Sequence, residues 1–206
     1  MKLLLLPLPI RIFHWIMVAA VSVLLFTGLY INAPWEMLQL PLRTVRKLHT
    51  LFAFILMTNL TGQIYYYLYT TKFTEILFLP RDWTNVPSFI RYVFFITDNH
   101  PNYGRYNPGQ KLLFSLWFLS VLLAAITGML LLFPDPASWL QRILGGLNVI
   151  RILHLGVAVF FAMSIPLHLY LVFTESPANL QAMFTGYINK EITPEILTEE
   201  KKDPGI

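Results

Sequence analysis

Four of the five histidines lie inside long apolar runs. The run 149–174 holds two of them, His154 and His168, fourteen residues apart with no charged residue between. On an α-helix that spacing is about four turns, so the two rings share a face to within roughly 40° and stand ~21 Å apart along the axis. An ionisable side chain in an apolar span is costly and points to a function. Neutral imidazole is also the commonest side-chain metal ligand. The pattern predicts one helix that serves two metal centres at two depths, with one further histidine due at each depth from elsewhere in the chain.

The composition sets the medium. Of 206 residues, 56% are hydrophobic, 15% aromatic and 13% charged, against about 25% charged in a soluble domain. This is the composition of an integral membrane protein with a single bundle of spans. The chain has no cysteine, which excludes a cysteine-held iron–sulfur cluster, a covalently attached c-type haem and a thiol nucleophile. The net charge of +4 fits membrane-flanking basic residues and not nucleic acid. Residues 1–9 carry one Lys and a Leu run broken by Pro7 and Pro9, without a small-residue cleavage site, and are expected to lead into the first span.

Four runs reach the ~20 residues that a hydrocarbon core requires: 12–31, 45–69, 112–133 and 149–173. The expected fold is an all-α membrane protein, a four-transmembrane-helix bundle over residues 1–189, followed by a charged tail at 190–206. Ten Lys and Arg fall on the side of the two ends and five on the other, so the termini are expected to be cytoplasmic. Short interfacial helices are expected around Trp139–Leu144, after Pro87 (with Phe89, Ile90, Val93 and Phe94 on one side and 98–101 ending it), and after Ser176-Pro177 (with Leu180, Met183, Phe184 and Tyr187).

That topology completes the two sites. His14 enters near the inside end of span one and pairs in depth with His168; His49 lies near the outside start of span two and pairs with His154. Arg11, Arg46 and Arg151 each stand three residues before His14, His49 and His154, one turn away on nearly the same side. Cations there suit the carboxylates of a porphyrin. Gly28, fourteen residues after His14, would let a flat macrocycle approach the first helix at the depth of the other pair. Gly62, thirteen after His49, falls about 140° off that face. Thr27-Gly28, Thr61-Gly62 and Thr127-Gly128 suit close helix packing. Two imidazoles per depth and no acid or thiol in the spans fit a six-coordinate haem iron better than zinc, which takes four protein ligands or three and water. His100, in a polar loop, is expected to be solvated. With no acidic residue in a span, a proton or solute transporter is disfavoured.

RIFHW at Arg11–Trp15, RKLH at Arg46–His49, RYNPGQK at Arg105–Lys111, and His154 with His168 are similar to the di-haem cytochrome b (gamma) subunits of membrane-bound formate dehydrogenases. The wider family includes the cytochromes b of nickel–iron hydrogenases and thiosulfate reductases. The RYNPGQK stretch and Met183–Gly186 (MFTG) resemble the formate dehydrogenase subunit most. The resemblance implies two haem b groups in the bacterial cytoplasmic (inner) membrane, with His14, His49, His154 and His168 as iron ligands. It implies an iron–sulfur subunit and a catalytic subunit as partners. Electrons would enter at the His49–His154 haem, cross to the His14–His168 haem and reduce a quinone (menaquinone or ubiquinone), with no substrate-oxidising site on this chain. The quinone is expected beside His168 and the turn that holds Asn107, Gly109, Gln110 and Lys111. Alternatively Asn107-Pro108-Gly109 only caps the third span. A passive haem-binding membrane anchor without a quinone site is the other functional class.

Overall fold

The computed structural model describes residues 2–94, 96, 97, 103, 106–136, 138–174 and 177–189; the expectations for His100, Arg105 and the tail at 190–206 lie outside them. The chain is mostly helical. Four long helices carry it: α1 (Leu8–Asn32), α2 (Leu42–Tyr69), α5 (Pro108–Leu132) and α7 (Leu147–Thr174). Between them lie short helices α3 (Phe73–Ile76), α4 (Val86–Val93) and α6 (Ser138–Ile143), and a 3-10 turn at Pro80–Asn85. Helix α8 (Pro177–Thr185) follows α7. Among the described residues, three helices are long and apolar enough to cross a membrane: Leu8–Asn32, Pro108–Leu132 and Leu147–Phe173. The chain is a membrane protein. Helix α2 is as long but more polar, with Arg43, Arg46 and Lys47 in its first turns and Asn59, Gln63 and several tyrosines further on.

Helix ends follow local chemistry. Pro9 sits in the first turn of α1 and Pro108 in that of α5, where a missing N–H costs nothing. Asn107 and Gln110 form a reciprocal capping box: the Gln110 N–H donates to Asn107 Oδ1 at 2.8 Å and the Asn107 N–H to Gln110 Oε1 at 3.1 Å. At the far end of α5, Gln141 donates to the carbonyls of Leu130 (3.0 Å) and Pro134 (2.9 Å). Gly145 and Gly146, both near φ +90°, turn the chain from α6 into α7, a backbone that a Cβ would strain. The Tyr30 hydroxyl closes the other hairpin by donating to the Leu40 carbonyl and accepting its N–H.

Helix α1 packs along α2 and α5 along α7, and the two hairpins meet through α1 and α7. Their shared core is Ala20, Val21, Leu56, Val121, Val157 and Phe161. These residues lie between the two histidine levels in sequence, so a dry apolar layer separates the levels. The many large apolar side chains left exposed on α1, α5 and α7 suit a hydrocarbon solvent.

A latch joins the two ends of the bundle. Strand β1 (Lys2–Leu4) pairs antiparallel with β2 (Tyr187–Asn189), Leu3 opposite Ile188. Leu6, Ile10 and Ala182 form a small core beneath it. Tyr187, expected on a helix, is in this strand. Arg11 donates from Nε to the Met183 carbonyl at 3.2 Å and from its guanidinium to the Phe184 carbonyl, and Trp15 Nε1 donates to Met183. These bonds satisfy carbonyls at the end of α8 that the helix leaves unpaired.

On the same half, Lys111 Nζ and Asp82 Oδ1 form an ion pair of 2.8 Å with both side chains buried. Asp82 Oδ2 also accepts the Leu79 N–H at 2.7 Å. Burial pushes the Asp82 carboxyl up, but the bonds from Lys111 and Leu79 and the Lys111 and Arg81 charges outweigh it and hold the group below its ordinary value. A depressed carboxyl stabilises the fold above its unfolded pKa of about 4 and loses that contribution as pH falls through its lower folded value. Replacing Asp82 with Asn is expected to cost about 2 kcal/mol at pH 7, read as a lower melting temperature in detergent. The gap from the parent should close below about pH 4.

Candidate functional site

The four span histidines come together in two pairs, each half-buried. His49 on α2 and His154 on α7 face one another with ring centroids 6.2 Å apart and planes at 67°. His14 on α1 and His168 on α7 lie close enough for the charge of one to act on the other. For His49 and His154, the residues that the sequence places at one depth stand ring against ring.

The distance of 6.2 Å is informative. A metal–imidazole bond of about 2 Å, with about 1 Å more from ring nitrogen to ring centre, puts two axial rings about 6 Å apart on either side of one ion. Among the described residues no three of His, Cys, Asp and Glu gather as a metal site. Two opposed imidazoles with no third protein ligand match an ion whose equatorial ligands belong to a macrocycle, so the residues fit a haem.

The helices beside each ring make room for it. A Cβ on Gly28 would stand 3.3 Å from His49 Cε1, and one on Gly128 would stand 3.3 Å from His154 Cε1. Thr27 Oγ1 lies 2.8 Å from His49 Nδ1, and Thr127 Oγ1 lies 2.8 Å from His154 Nδ1. Two Thr-Gly pairs, expected to pack helices and, at Gly28, to admit a flat macrocycle, thus contact the histidine rings. The third does not: a Cβ on Gly62 would meet the Phe13 ring at 3.0 Å.

At the other pair, Trp117 lies edge-on to His168 with centroids 5.0 Å apart and donates its Nε1–H to Ser164 Oγ at 2.8 Å. Trp15 lies edge-on to His14. His14 Nδ1 is buried with no hydrogen-bond partner, as is Asn59 Oδ1, whose amide nitrogen donates to the Phe13 carbonyl at 3.1 Å. Pro166, two residues before His168, sits inside α7 and cannot donate to the carbonyl of Ala162.

The remaining expected residues divide. Arg46 is exposed and, with Arg43, Lys47 and Thr50, lines an open hollow of about 430 Å³. Arg151 is exposed and donates to Asn148 Oδ1 at 3.3 Å. Arg11 is spent on the carbonyls of α8. In the polar turn, Asn107 and Gln110 use their amide oxygens on the cap, and Lys111 holds Asp82. A Cβ on Gly109 would lie 2.5 Å from Phe89 Cζ, so the glycine admits the Phe89 ring of α4. Sequence reasoning missed Thr27, Thr127, Gly128, Trp117 and Asp82. The recurrence of Thr-Gly one hundred residues apart was the available signal for the first three.

Comparison with known proteins places the chain in a family. The family model described as prokaryotic cytochrome b561 matches residues 5–186. The probable Ni/Fe-hydrogenase B-type cytochrome subunit of Cupriavidus necator is 26% identical over 208 residues, an overlap of 87% of this chain and 84% of that protein.

Gly128→Val is expected to push the His154 ring off its position and lower the haem bound per chain, measured by pyridine haemochrome on purified protein. Gly62→Val, which crowds Phe13 instead, should retain the full haem content.

Proposed function

Because the chain belongs to the prokaryotic cytochrome b561 family, whose members are membrane cytochromes that bind b-type haem, we propose that it is a di-haem electron-transfer and anchor subunit of a quinone-linked oxidoreductase in the bacterial cytoplasmic membrane. The observation that carries this is the opposed His49–His154 pair at 6.2 Å. His49 with His154, and His14 with His168, would each hold one haem b. Such a group supplies reversible one-electron transfer and, with two axial imidazoles, no open position for oxygen or substrate.

The proposed bundle has four spans, and the latch supports that number. Strand β1 precedes α1, β2 follows α7, and the two pair backbone to backbone. Ends that pair outside the hydrocarbon lie on one side of it, which requires an even number of crossings. With three strongly apolar helices, α2 is the fourth. Its polar residues have uses within the bundle: His49 faces His154, and Asn59 bonds the Phe13 carbonyl. The excess of Lys and Arg on that side favours cytoplasmic termini.

The proposed partner is an iron–sulfur subunit with its catalytic subunit. RYNPGQK and MFTG favour a formate dehydrogenase; the C. necator relative, named for a Ni/Fe hydrogenase, favours a hydrogenase. The quinone is proposed beside His168 and the Asn107–Lys111 turn. The cap takes the two amide oxygens, and the NH₂ group of Asn107 is the donor proposed for a quinone carbonyl.

His49→Ala or His154→Ala is expected to remove one of two b haems and to leave the haem of His14 and His168 in place. Two haems retained in either variant would sink the pairing. In membranes of the source cell, haem reduction by formate and not by hydrogen would choose the formate dehydrogenase, and the reverse the hydrogenase. Asn107→Asp, which keeps the cap oxygen and removes the NH₂ donor, is expected to slow quinol oxidation at least tenfold with both haems present; an unchanged rate would move the quinone elsewhere.

A further inference from the structure

The two candidate haem sites differ in how their histidines are held. Thr27 Oγ1 lies 2.6 Å from the Val23 carbonyl and Thr127 Oγ1 lies 2.6 Å from the Leu123 carbonyl. A threonine hydroxyl has one proton, and in each case the short carbonyl contact takes it. The 2.8 Å contacts with His49 Nδ1 and His154 Nδ1 must then run the other way, with the imidazole N–H donating to the threonine oxygen. That places the ring proton on Nδ1 and leaves the Nε2 lone pair of both histidines for a metal.

The device is built twice with nearly the same dimensions. On α1 and again on α5, a threonine takes the Nδ1 proton and the next residue is a glycine whose missing Cβ makes room for Cε1, at 3.3 Å in both. Both threonines are 1% exposed, so no solvent competes for the bond. The His14–His168 site has no such arrangement. His14 Nδ1 is buried without a partner, and the Trp117 N–H beside His168 is spent on Ser164.

We propose that Thr27 and Thr127 are positioning residues that fix the ligating tautomer of His49 and His154 and make that haem the lower-potential one of the two. The proposal rests on the di-haem reading above. A hydrogen bond donated from Nδ1–H raises the basicity of the ring toward its metal. A more basic ligand favours the more positively charged, oxidised iron, and such bonding is one of the levers that set haem potential. Two such bonds at one site against an unpartnered Nδ1 at the other set the potentials apart. The order makes transfer downhill from the His49–His154 site toward the His14–His168 site.

The test is potentiometric titration of the purified protein, followed in the b-haem absorption bands. Thr27→Val with Thr127→Val keeps the branched shape and removes both acceptors. The lower of the two midpoints is expected to rise in the double variant by about 59 mV, a tenfold change for one electron, while the higher stays fixed. The double Thr→Ser variant, which keeps both hydroxyls, should restore the parent value. Equal midpoints in the parent, an unmoved lower midpoint in the valine variant, or a serine variant that behaves like valine would each overturn the proposal. If the valine variant loses haem, nitrogen NMR of histidine-labelled, haem-free protein decides. The Nδ1–H tautomer at His49 and His154 in the parent, lost on substitution by valine, supports the role; the same tautomer mixture in both overturns it. A parent protein that binds no b haem would instead defeat the functional reading itself.

Discussion

An imidazole in a hydrocarbon-facing bundle must be satisfied at both nitrogens, and much of this structure can be understood from that constraint. For His49 and His154 one nitrogen is satisfied inside the chain. The neighbouring helix supplies a threonine oxygen, and the same threonine spends its own proton one turn back on its helix. A glycine must follow, because the ring that reaches the threonine occupies the space a Cβ would fill. The close approach of α1 to α2 and of α5 to α7 is thus set at one level by a hydrogen bond and a missing side chain. The second nitrogen of each ring has no threonine of this kind, and the two rings stand with centroids 6.2 Å apart.

Seen this way, the two hairpins are variations on one unit. Thr-Gly on the first helix and His on the second recur at Thr27, Gly28 and His49 and at Thr127, Gly128 and His154. The second level breaks the repeat. His14 stands thirteen residues before Thr27, but Phe114 stands thirteen before Thr127. His168 stands fourteen after His154, but Gln63 stands fourteen after His49. The lower pair therefore takes one ring from the first helix of one unit and one from the second helix of the other. It inherits neither threonine, and each of its rings lies against a tryptophan instead. The apolar layer of Ala20, Leu56, Val121, Val157 and Phe161 between the levels keeps the two environments separate.

The residues that were legible in the sequence are those whose signal is local or periodic. The long helices, the short helices α4, α6 and α8, and the shared helix face of His154 and His168 all follow from spacing on a 3.6-residue repeat. Contacts that depend on distant partners were not legible. Three-residue strands 185 positions apart at their centres carry no pattern that predicts their pairing. Arg11 looked like a cation for a carboxylate, since its spacing to His14 repeats that of Arg46 and Arg151. Once the latch forms, the carbonyls of Met183 and Phe184 are nearer and unpaired. Lys111 likewise looked available until the 3-10 turn brought Asp82 to it. In both cases a motif fixed the residue type, and the tertiary structure chose its partner.

The polar accounting also separates the two halves of the bundle. At the His49–His154 level the histidine Nδ1 atoms and the buried threonines are matched to one another. Toward the latch the matching is incomplete: among the described residues, the buried side-chain atoms without partners are His14 Nδ1 and Asn59 Oδ1. Both adjoin Phe13, one by sequence and one through its hydrogen-bonded carbonyl. A buried polar atom left unpaired costs about 1–3 kcal/mol, and such atoms in a folded protein commonly mark a functional place. Pro166 loosens the backbone of α7 on the same half, two residues from His168. The half that holds His14 and His168 is thus the less self-sufficient of the two, while the half that holds His49 and His154 is the more rigidly specified.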